Sequence, residues 1–281
     1  MSYMLSKSYA KINLFLYVTG KREDGYHNIF SLFGKLNFYD VIKIERNKKF
    51  QIYCNNKMIP TDKRNFIFKV YEILKKEYGL DLNIKVTLFK NIPIEAGLGG
   101  GSSNCAVFLR MINEYFNLNM SKDEMINVLK RVSADAPIFL FDKAVVAEGI
   151  GDEILYEVDL PKCYVLLVKP QFGVSTKDAY SSKNLKLTTK PHITNIHSLS
   201  NLNELSKLMC NSLETAVFKD YKELYFIKNT MENLGALKSL MSGSGSTIFG
   251  LFDSKNQLNN AYNFFKKISN KGYFVLKTNI L

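Results

Sequence analysis

A glycine-rich segment between two regular stretches constrains the fold of this 281-residue chain more than any other feature. The segment runs from Pro93 to Asn104 and has four glycines in the five positions 97–101. Before it, apolar residues alternate from Leu82 to Leu88, which is the period of a half-buried strand. After it, apolar residues from Cys105 to Phe116 line one face of a helix. The sequence therefore predicts a strand, a glycine loop and a helix in succession.

The junction between this loop and its helix is typical of an anion-binding site. Glycines let the backbone approach a ligand closely and adopt positive φ angles. We expect the hydroxyls of Ser102 and Ser103 to cap the helix, whose free N–H groups and dipole would favour a phosphate. A nucleotide triphosphate is the expected ligand, and a glycine-rich turn without a ligand is the alternative. The predicted contact residues are Pro93, Ile94, Glu95, Ala96, Gly97, Leu98, Gly99, Gly100, Gly101, Ser102 and Ser103.

Two common phosphate-binding sequences do not fit the segment. The P-loop of nucleotide kinases needs a lysine near its end, and no lysine follows Gly101. The dinucleotide-binding fingerprint needs a glycine where this chain has Ser102. The loop is therefore predicted to belong to neither class.

The composition predicts a soluble globular protein. Hydrophobic residues make up 46% of the chain and charged residues 23%, as in ordinary globular domains. No apolar stretch reaches membrane-spanning length, and lysines interrupt the first 16 residues, unlike a signal peptide. The scattered cysteines lack metal-ligand spacing and are typical of free thiols in a reducing cytosol. We therefore expect a cytoplasmic protein with no membrane partner and assign no metal-ligating residue.

The net charge of +12 raises the possibility of a nucleic-acid partner. However, the lysines are spread over the whole chain, and no basic run is interleaved with stacking aromatic residues. We therefore expect the positive field to attract anionic small molecules, with no nucleic acid as a partner.

Strands and helices are mixed along the chain without strict βαβ alternation, which predicts an α+β fold. Asn65 and Gly79 are expected to bound one helix, and Ser121 with Glu124 is a capping box for another.

A break in composition at Asp159-Leu160-Pro161 divides the chain into two predicted domains, residues 1–158 and 159–281. In the second domain, two helices are expected between Asn203 and Leu234. A glycine-rich turn at residues 241–246 would then lead into a strand from Thr247 to Phe252.

Three segments in order resemble the motifs of the GHMP kinases, the superfamily of galactokinase, homoserine kinase and mevalonate kinase. They are Ala10–Leu14, Pro93–Asn104 and Met241–Ser246. Further segments resemble the 4-diphosphocytidyl-2-C-methyl-D-erythritol kinase family, namely Gly20–His27, Ser133–Pro137 and Ala147–Gly151. The resemblance implies an N-terminal domain like ribosomal protein S5 and a C-terminal ferredoxin-like domain. Cys105 and Ser133 depart from the family, which commonly has alanine and glycine there.

The resemblance implies ATP-dependent phosphorylation of the 2-hydroxyl of the methylerythritol unit, in the non-mevalonate route to isoprenoid precursors. ATP is then a co-substrate, and Mg²⁺ is expected with it. The family implies that Asp135 is the general base and that Lys11 reaches both Asp135 and the hydroxyl. From the residues alone, Asp135 could instead cap a helix starting at Pro137, and Lys11 could be a strand-edge lysine whose stem packs on apolar surface.

The resemblance also implies a site for the cytidine end of the substrate. It places His27 at the cytosine, and Tyr26 could stack on the base. Tyr180 is a second candidate ring, although a packed core tyrosine is an equal alternative. Asn13 is expected to touch the substrate from beside Lys11.

Competing interpretations remain open from the sequence. Another GHMP kinase, acting on homoserine or mevalonate, would bind no cytosine and would leave the segment Gly25-Tyr26-His27 unexplained. A basic RNA-binding protein using the S5-like half would bind RNA with a steep salt dependence. A nucleotide sensor without catalysis would not need Lys11 and Asp135. A monomer or weak homodimer is expected.

Overall fold

The computed structural model describes residues 3–191, 199, 201–268 and 272–281, and compactness divides the chain into two units. Unit 1 comprises Met1–Ala10, Phe38–Pro93 and Gly99–Asp142, and unit 2 comprises Lys11–Asn37, Ile94–Leu98 and Lys143–Leu281. The chain therefore passes more than once between the units. The boundary between residues 158 and 159 rests on composition and stays a prediction.

Two long strands, β1 (Tyr3–Lys21) and β2 (His27–Arg46), contribute to both units. In unit 1, the end of β2 pairs antiparallel with β4 (Ile84–Phe89), which pairs in parallel with β3 (Gln51–Cys54). The helices of this unit are α1 (Phe66–Tyr78), α2 (Gly100–Tyr115), α3 (Lys122–Lys130) and a 3₁₀ helix (Pro137–Leu140). These helices contact one another, so buried apolar faces such as that of α2 form the core.

Local signals fixed both ends of α1 and the start of α3 as predicted. The Asn65 side chain accepts a hydrogen bond from the N–H of Ile67 at 2.9 Å, and Gly79 ends α1 with φ of 65°. At the start of α3, Ser121 accepts from the N–H of Glu124, whose carboxylate accepts from the N–H of Ser121 at 2.7 Å. Both capping predictions are confirmed.

Unit 2 contains two sets of paired strands. Strand β5 (Ala144–Glu148) pairs with β6 (Glu153–Val158) and with residues 31–33 of β2. An antiparallel sheet has the order β10-β7-β9-β8. Its strands are β7 (Tyr164–Lys169), β8 (Lys238–Met241), β9 (Ile248–Phe252) and β10 (Phe274–Asn279).

The helices of unit 2 are α4 (Thr176–Ser181), α5 (Leu202–Leu208), α6 (Glu214–Asp220), α7 (Lys222–Asn233) and α8 (Lys255–Lys267). Helices α7 and α8 pack on the antiparallel sheet, whose strand β9 is buried along its whole length. Within the described residues, no helix is long and apolar enough to cross a membrane.

One prediction for this region needs correction, and one strand was missed. The described residues between 203 and 234 form parts of three helices, not two, because Tyr221 has φ of −117° and ψ of 70° and separates α6 from α7. Strand β8 was not predicted. It pairs with β9 from Met241 opposite Ile248, so residues 242–247 are a hairpin turn.

Candidate active site

Lys11 and Asn13 form the start of a buried polar chain on β1. Residues two apart in a strand point to the same face, and the side chains of this pair meet there. The Nζ of Lys11 donates to Oδ1 of Asn13 at 2.7 Å, and Nδ2 of Asn13 donates to Oγ of Ser31 at 2.8 Å. Ser31 in turn donates to the carbonyl of Phe15 at 2.7 Å. Lys11 is only 3% exposed, so its ammonium is fixed by these contacts and is not a mobile surface charge.

Residues 94–98 of the glycine loop are held by hydrogen bonds within unit 2. The N–H of Lys11 donates to the carbonyl of Leu98 at 3.0 Å, which ties the loop to β1. From the turn between β8 and β9, Oγ of Ser242 donates to the carbonyl of Gly97 at 2.9 Å, and the N–H of Thr247 donates to the carbonyl of Ala96 at 3.3 Å. The loop conformation therefore depends on β1 and on the hairpin turn together.

Gly97 cannot carry a side chain in this conformation. Its φ of 71° lies in the left-handed region, and a Cβ atom would overlap the carbonyl oxygen of Ser242. The close approach lets the hairpin turn pack directly on the loop backbone.

The same turn brings Gly243 beside Lys11 and Asn13. A Cβ built on Gly243 would lie 3.4 Å from Nζ of Lys11, 3.4 Å from Oδ1 of Asn13 and 3.5 Å from the carbonyl oxygen of Gly97. Members of all three sequence motifs that resemble the GHMP kinases thus meet within unit 2.

In unit 1, the loop leads into α2 through a glycine cap. Gly99 is the N-cap with φ of 67°, and no side chain caps the helix. The prediction that Ser102 and Ser103 cap α2 is therefore wrong, because the helix already begins at Gly100 and both serines lie inside its first turn. Their hydroxyls bind elsewhere: Ser102 pairs with Ser133 at 2.8 Å, and Ser103 accepts from Ser8 at 2.8 Å.

Asp135 lies in a turn that is tied to the first turn of α2. Its neighbour Ser133 makes the hydrogen bond to Ser102, and the following 3₁₀ helix contacts α2. That 3₁₀ helix is capped by Ala136 without any side-chain hydrogen bond, so the alternative of Asp135 as its N-cap is wrong. Asp135 is half-buried. Ser133, which departs from the family pattern, has a defined hydrogen-bond partner in Ser102.

A buried carboxylate, Asp40, organises the chain where β4 leads into the loop. Its Oδ1 accepts from the N–H groups of Asn91 and Ile92 at 2.7 and 2.8 Å. Its Oδ2 pairs with Nζ of Lys90 and accepts from Nδ2 of Asn104 in α2 at 2.9 Å. Asp40 is 0% exposed, so this network joins the entry of the loop to the helix that follows it.

Gly100 makes room for this network. A Cβ at Gly100 would lie 3.0 Å from Nζ of Lys90 and 3.1 Å from Cγ2 of Ile92. Glycine is therefore required at this position by the packing inside unit 1, as well as by any close approach of a ligand.

His27 and Tyr180 form a ring pair in unit 2. Their ring centroids are 5.4 Å apart with planes tilted by 33°. Tyr180 is in α4, whose N-cap Ser175 accepts from the N–H of Asp178. The ring of Tyr26 is 61% exposed in the turn before β2. Burial lowers the pKa of His27, and the charge of Lys21 lowers it further, so both effects favour the neutral form of the imidazole.

Several polar residues that support the loop were not singled out in the sequence. They are Ser31, Asp40, Lys90 and Asn211. A carboxylate within the otherwise apolar pattern of a strand, as at Asp40, is the one signal that could have been recognised. The others acquire their partners only through tertiary contacts.

The glycine loop gives a testable prediction for stability. We expect Gly97→Ala to lower the free energy of unfolding by about 2 kcal/mol or more, because a left-handed alanine costs ~1–2 kcal/mol before any clash. Gly101→Ala is the matched control, since its Cβ would meet only Phe66 at 3.4 Å and its φ is unexceptional. Thermal unfolding of both variants checks this, and an equally stable Gly97→Ala would contradict the loop geometry.

Comparisons with known proteins agree with the three motifs. Residues 65–143 match the model of the GHMP kinases N terminal domain, and residues 193–270 match that of the GHMP kinases C terminal domain. The 4-diphosphocytidyl-2-C-methyl-D-erythritol kinase of Clostridium beijerinckii is 36% identical over 282 residues, covering 98% of this chain and 100% of that protein. The chain belongs to this kinase family.

Two further relatives of the 4-diphosphocytidyl-2-C-methyl-D-erythritol kinase family support the assignment. The enzyme of that name from Clostridium botulinum (strain Kyoto / Type A2) is 38% identical over 280 residues, covering 98% of this chain and 100% of its own. The crystal structure of a 4-(cytidine 5'-diphospho)-2C-methyl-D-erythritol kinase matches with a TM-score of 0.82 and 25% identity over 99% of both chains. The predicted α+β GHMP kinase fold and the ATP-using kinase activity are confirmed.

Proposed function

We propose that this kinase transfers the γ-phosphoryl group of ATP to the 2-hydroxyl of 4-diphosphocytidyl-2-C-methyl-D-erythritol. The observation that carries the proposal is full-length similarity to kinases named for that substrate. The neutral ring pair of His27 and Tyr180 supports it, because it suits a nucleobase better than a small aliphatic alcohol.

Asp135 is the proposed general base. Phosphoryl transfer needs an oriented acceptor oxygen more than covalent chemistry by the protein. A half-buried carboxylate can orient the hydroxyl and accept its proton as the bond to phosphorus forms. The hydrogen bond from the Asp135 turn to Ser102 supports this role, because it places that turn beside the proposed phosphate loop.

Lys11 is the proposed source of positive charge at the reacting oxygen. Its ammonium is held by Oδ1 of Asn13, which limits it to a narrow set of positions. A fixed cation stabilises negative charge developing on an alkoxide or a transferred phosphoryl group. Asn13 would thus orient Lys11 and contact the substrate.

The glycine loop, residues 93–103, is the proposed site for the phosphates of ATP. The first N–H groups of α2 have no partner within the helix, and its dipole is positive at that end. With no side chain capping α2, these amides can donate to phosphate oxygens.

Mg²⁺ is proposed to arrive with ATP. Within the described residues, no group of three His, Cys, Asp or Glu side chains could hold a metal ion. Mg²⁺ that is bound mainly by phosphates and water needs no such group. When bound, the ion neutralises phosphate charge.

His27→Ala is expected to raise KM for the cytidylyl substrate about 10- to 100-fold, from the loss of a hydrogen bond and a ring contact worth ~1–3 kcal/mol. KM for ATP should stay within about twofold, because His27 lies outside the phosphate loop. Steady-state kinetics with each substrate varied in turn measure both. Equal losses for the two substrates would indicate misfolding or a different site.

A coupled ADP-release assay tests the proposed function. It compares 4-diphosphocytidyl-2-C-methyl-D-erythritol with homoserine, mevalonate and galactose, and the first should give the highest kcat/KM by a wide margin. Preference for another alcohol would favour the alternative of a different GHMP kinase. Salt-dependent RNA binding without phosphoryl transfer would favour the RNA-binding alternative.

We also propose a cytoplasmic enzyme without nucleic-acid partners that is a monomer or a weak homodimer. Sedimentation velocity over a range of protein concentrations would distinguish these two states.

A further inference from the structure

Two side chains from the segment 211–214 form hydrogen bonds with the backbone N–H and carbonyl of Met241. Oε1 of Glu214 accepts from the N–H of Met241 at 2.7 Å, and Nδ2 of Asn211 donates to the carbonyl of Met241 at 2.7 Å. Met241 is the last residue of β8 and is fully buried. The segment 211–214 therefore fixes the end of β8 directly before the hairpin turn.

Asn211 also holds the turn itself. Its Nδ2 donates a second hydrogen bond to the carbonyl of Gly243 at 2.8 Å, and its Oδ1 accepts from the N–H of Leu213 at 3.0 Å. The side chain is buried, so these bonds are shielded from competing water. Both hydrogens of the amide group are thus used on carbonyls at the start of the turn.

The backbone around Asn211 is joined to β1. The N–H of Leu16 donates to the carbonyl of Cys210 at 2.7 Å, and the N–H of Ser212 donates to the carbonyl of Leu16 at 2.9 Å. Leu16 is on the strand that carries Lys11 and Asn13. The segment therefore has one attachment to β1 and another to the turn that packs beside Lys11.

We propose that Asn211 is a positioning residue for catalysis, which sets the hairpin turn against Lys11 and Gly97 through its bonds to Met241 and Gly243. The turn contributes Gly243, which lies beside Lys11 and Asn13, and Ser242, which binds the carbonyl of Gly97. Without the Asn211 amide, these groups lose the bonds that fix their place. The inference rests on the proposed function, since it assigns Lys11 and the loop to the reaction.

Asn211→Ala is expected to lower kcat ~10- to 100-fold, the effect of a displacement of about 1 Å in a catalytic arrangement. Asn113→Ala is the matched control. Asn113 also holds one methionine backbone, accepting from the N–H of Met120 at 2.9 Å and donating to its carbonyl at 3.2 Å, and it lies near the C-terminal end of α2, away from the loop at the start of that helix. The Asn113→Ala variant should lower the melting temperature about as much as Asn211→Ala does, and it should keep kcat within about twofold of the wild-type value.

A double-mutant cycle separates positioning from loss of stability. Ser242→Ala removes the bond from the turn to Gly97, so its effect on kcat should be much smaller in the Asn211→Ala background than in the wild type. In the Asn113→Ala background, Ser242→Ala should keep its full effect on kcat. Additive effects with Asn211→Ala, or equal kcat values for the two asparagine variants, would overturn the proposal. If Asn211→Ala does not fold, Asn211→Ser, which keeps one donor, is measured with the same expectations.

Hydrogen exchange distinguishes failure of this inference from failure of the proposed function. The N–H of Thr247 donates to the carbonyl of Ala96, and its exchange should be faster in Asn211→Ala but unchanged in Asn113→Ala. This result is independent of which alcohol the enzyme phosphorylates. Unchanged exchange at Thr247 would overturn the positioning role even in an active enzyme, whereas faster exchange in a protein without kinase activity would reject only the proposed function.

Discussion

Asp135→Asn is expected to lower kcat by roughly 10²- to 10⁴-fold, the usual contribution of a general base. Asparagine has the shape of aspartate but cannot accept the proton of the substrate hydroxyl. The turn that holds Asp135 is fixed by the hydrogen bond between Ser133 and Ser102, so the backbone should keep its place. Single-turnover measurement of phosphoryl transfer reports the effect without interference from product release.

ATP binding is the internal control for this variant. The affinity for ATP, measured by calorimetry, should stay within a few-fold, because the proposed phosphate contacts are loop amides. Asp123→Asn is the external control, since Asp123 is an exposed residue in the first turn of α3, and its kcat should equal that of the wild type. Near-normal kcat in Asp135→Asn would remove this residue from the base role.

Asp40→Asn is expected to destabilise the protein by about 3–5 kcal/mol, the cost of leaving a buried charge without its partner. The carboxylate of Asp40 accepts from four donors, which include Lys90 and Asn104. The asparagine amide has only one acceptor oxygen, so its NH₂ group would point at donors that now bond to the second carboxylate oxygen of Asp40. The ammonium of Lys90 would also stay buried without its counter-charge.

The melting temperature and the chemical denaturation midpoint both measure this loss. Glu77→Gln is the matched control, because it breaks the exposed ion pair between Glu77 and Arg131, which is worth only ~0–1 kcal/mol. If Asp40→Asn were no more destabilised than Glu77→Gln, the buried network would not support the loop as we describe.

Features set by neighbouring residues were predictable from the sequence. The caps at Asn65 and Ser121 use residues within three positions of each other, and the structure has both. Lys11 and Asn13 could be placed on one face of a strand because side chains alternate in β structure. The strand, loop and helix order around residues 97–101 follows from hydrophobic periodicity in the same way.

The cap of α2 was missed because a local signal competed with backbone geometry. Serines near a helix start favour capping, but Gly99 in the left-handed region begins the helix earlier than Ser102. The glycines that make the loop suitable for a phosphate thus also moved the helix boundary.

Contacts between distant parts of the chain were outside the reach of sequence patterns. Asp40 and Lys90 are 50 residues apart, and Asn211 and Met241 are 30 apart. Each residue has an ordinary local interpretation, such as a strand position for Asp40 or a helix start for Asn211. Only the tertiary fold shows that they support the residues predicted from motifs.

The bond between Ser242 and Gly97 has a consequence for synthesis of the chain. Its two residues are 145 positions apart, so every residue of the glycine loop leaves the ribosome long before the hairpin turn exists. A nascent chain that ends at residue 158 would contain the complete glycine loop and its bond to β1, but not the hydrogen bonds from the hairpin turn to Ala96 and Gly97. We therefore expect the loop to reach its final conformation late in translation, once the C-terminal hairpin has emerged.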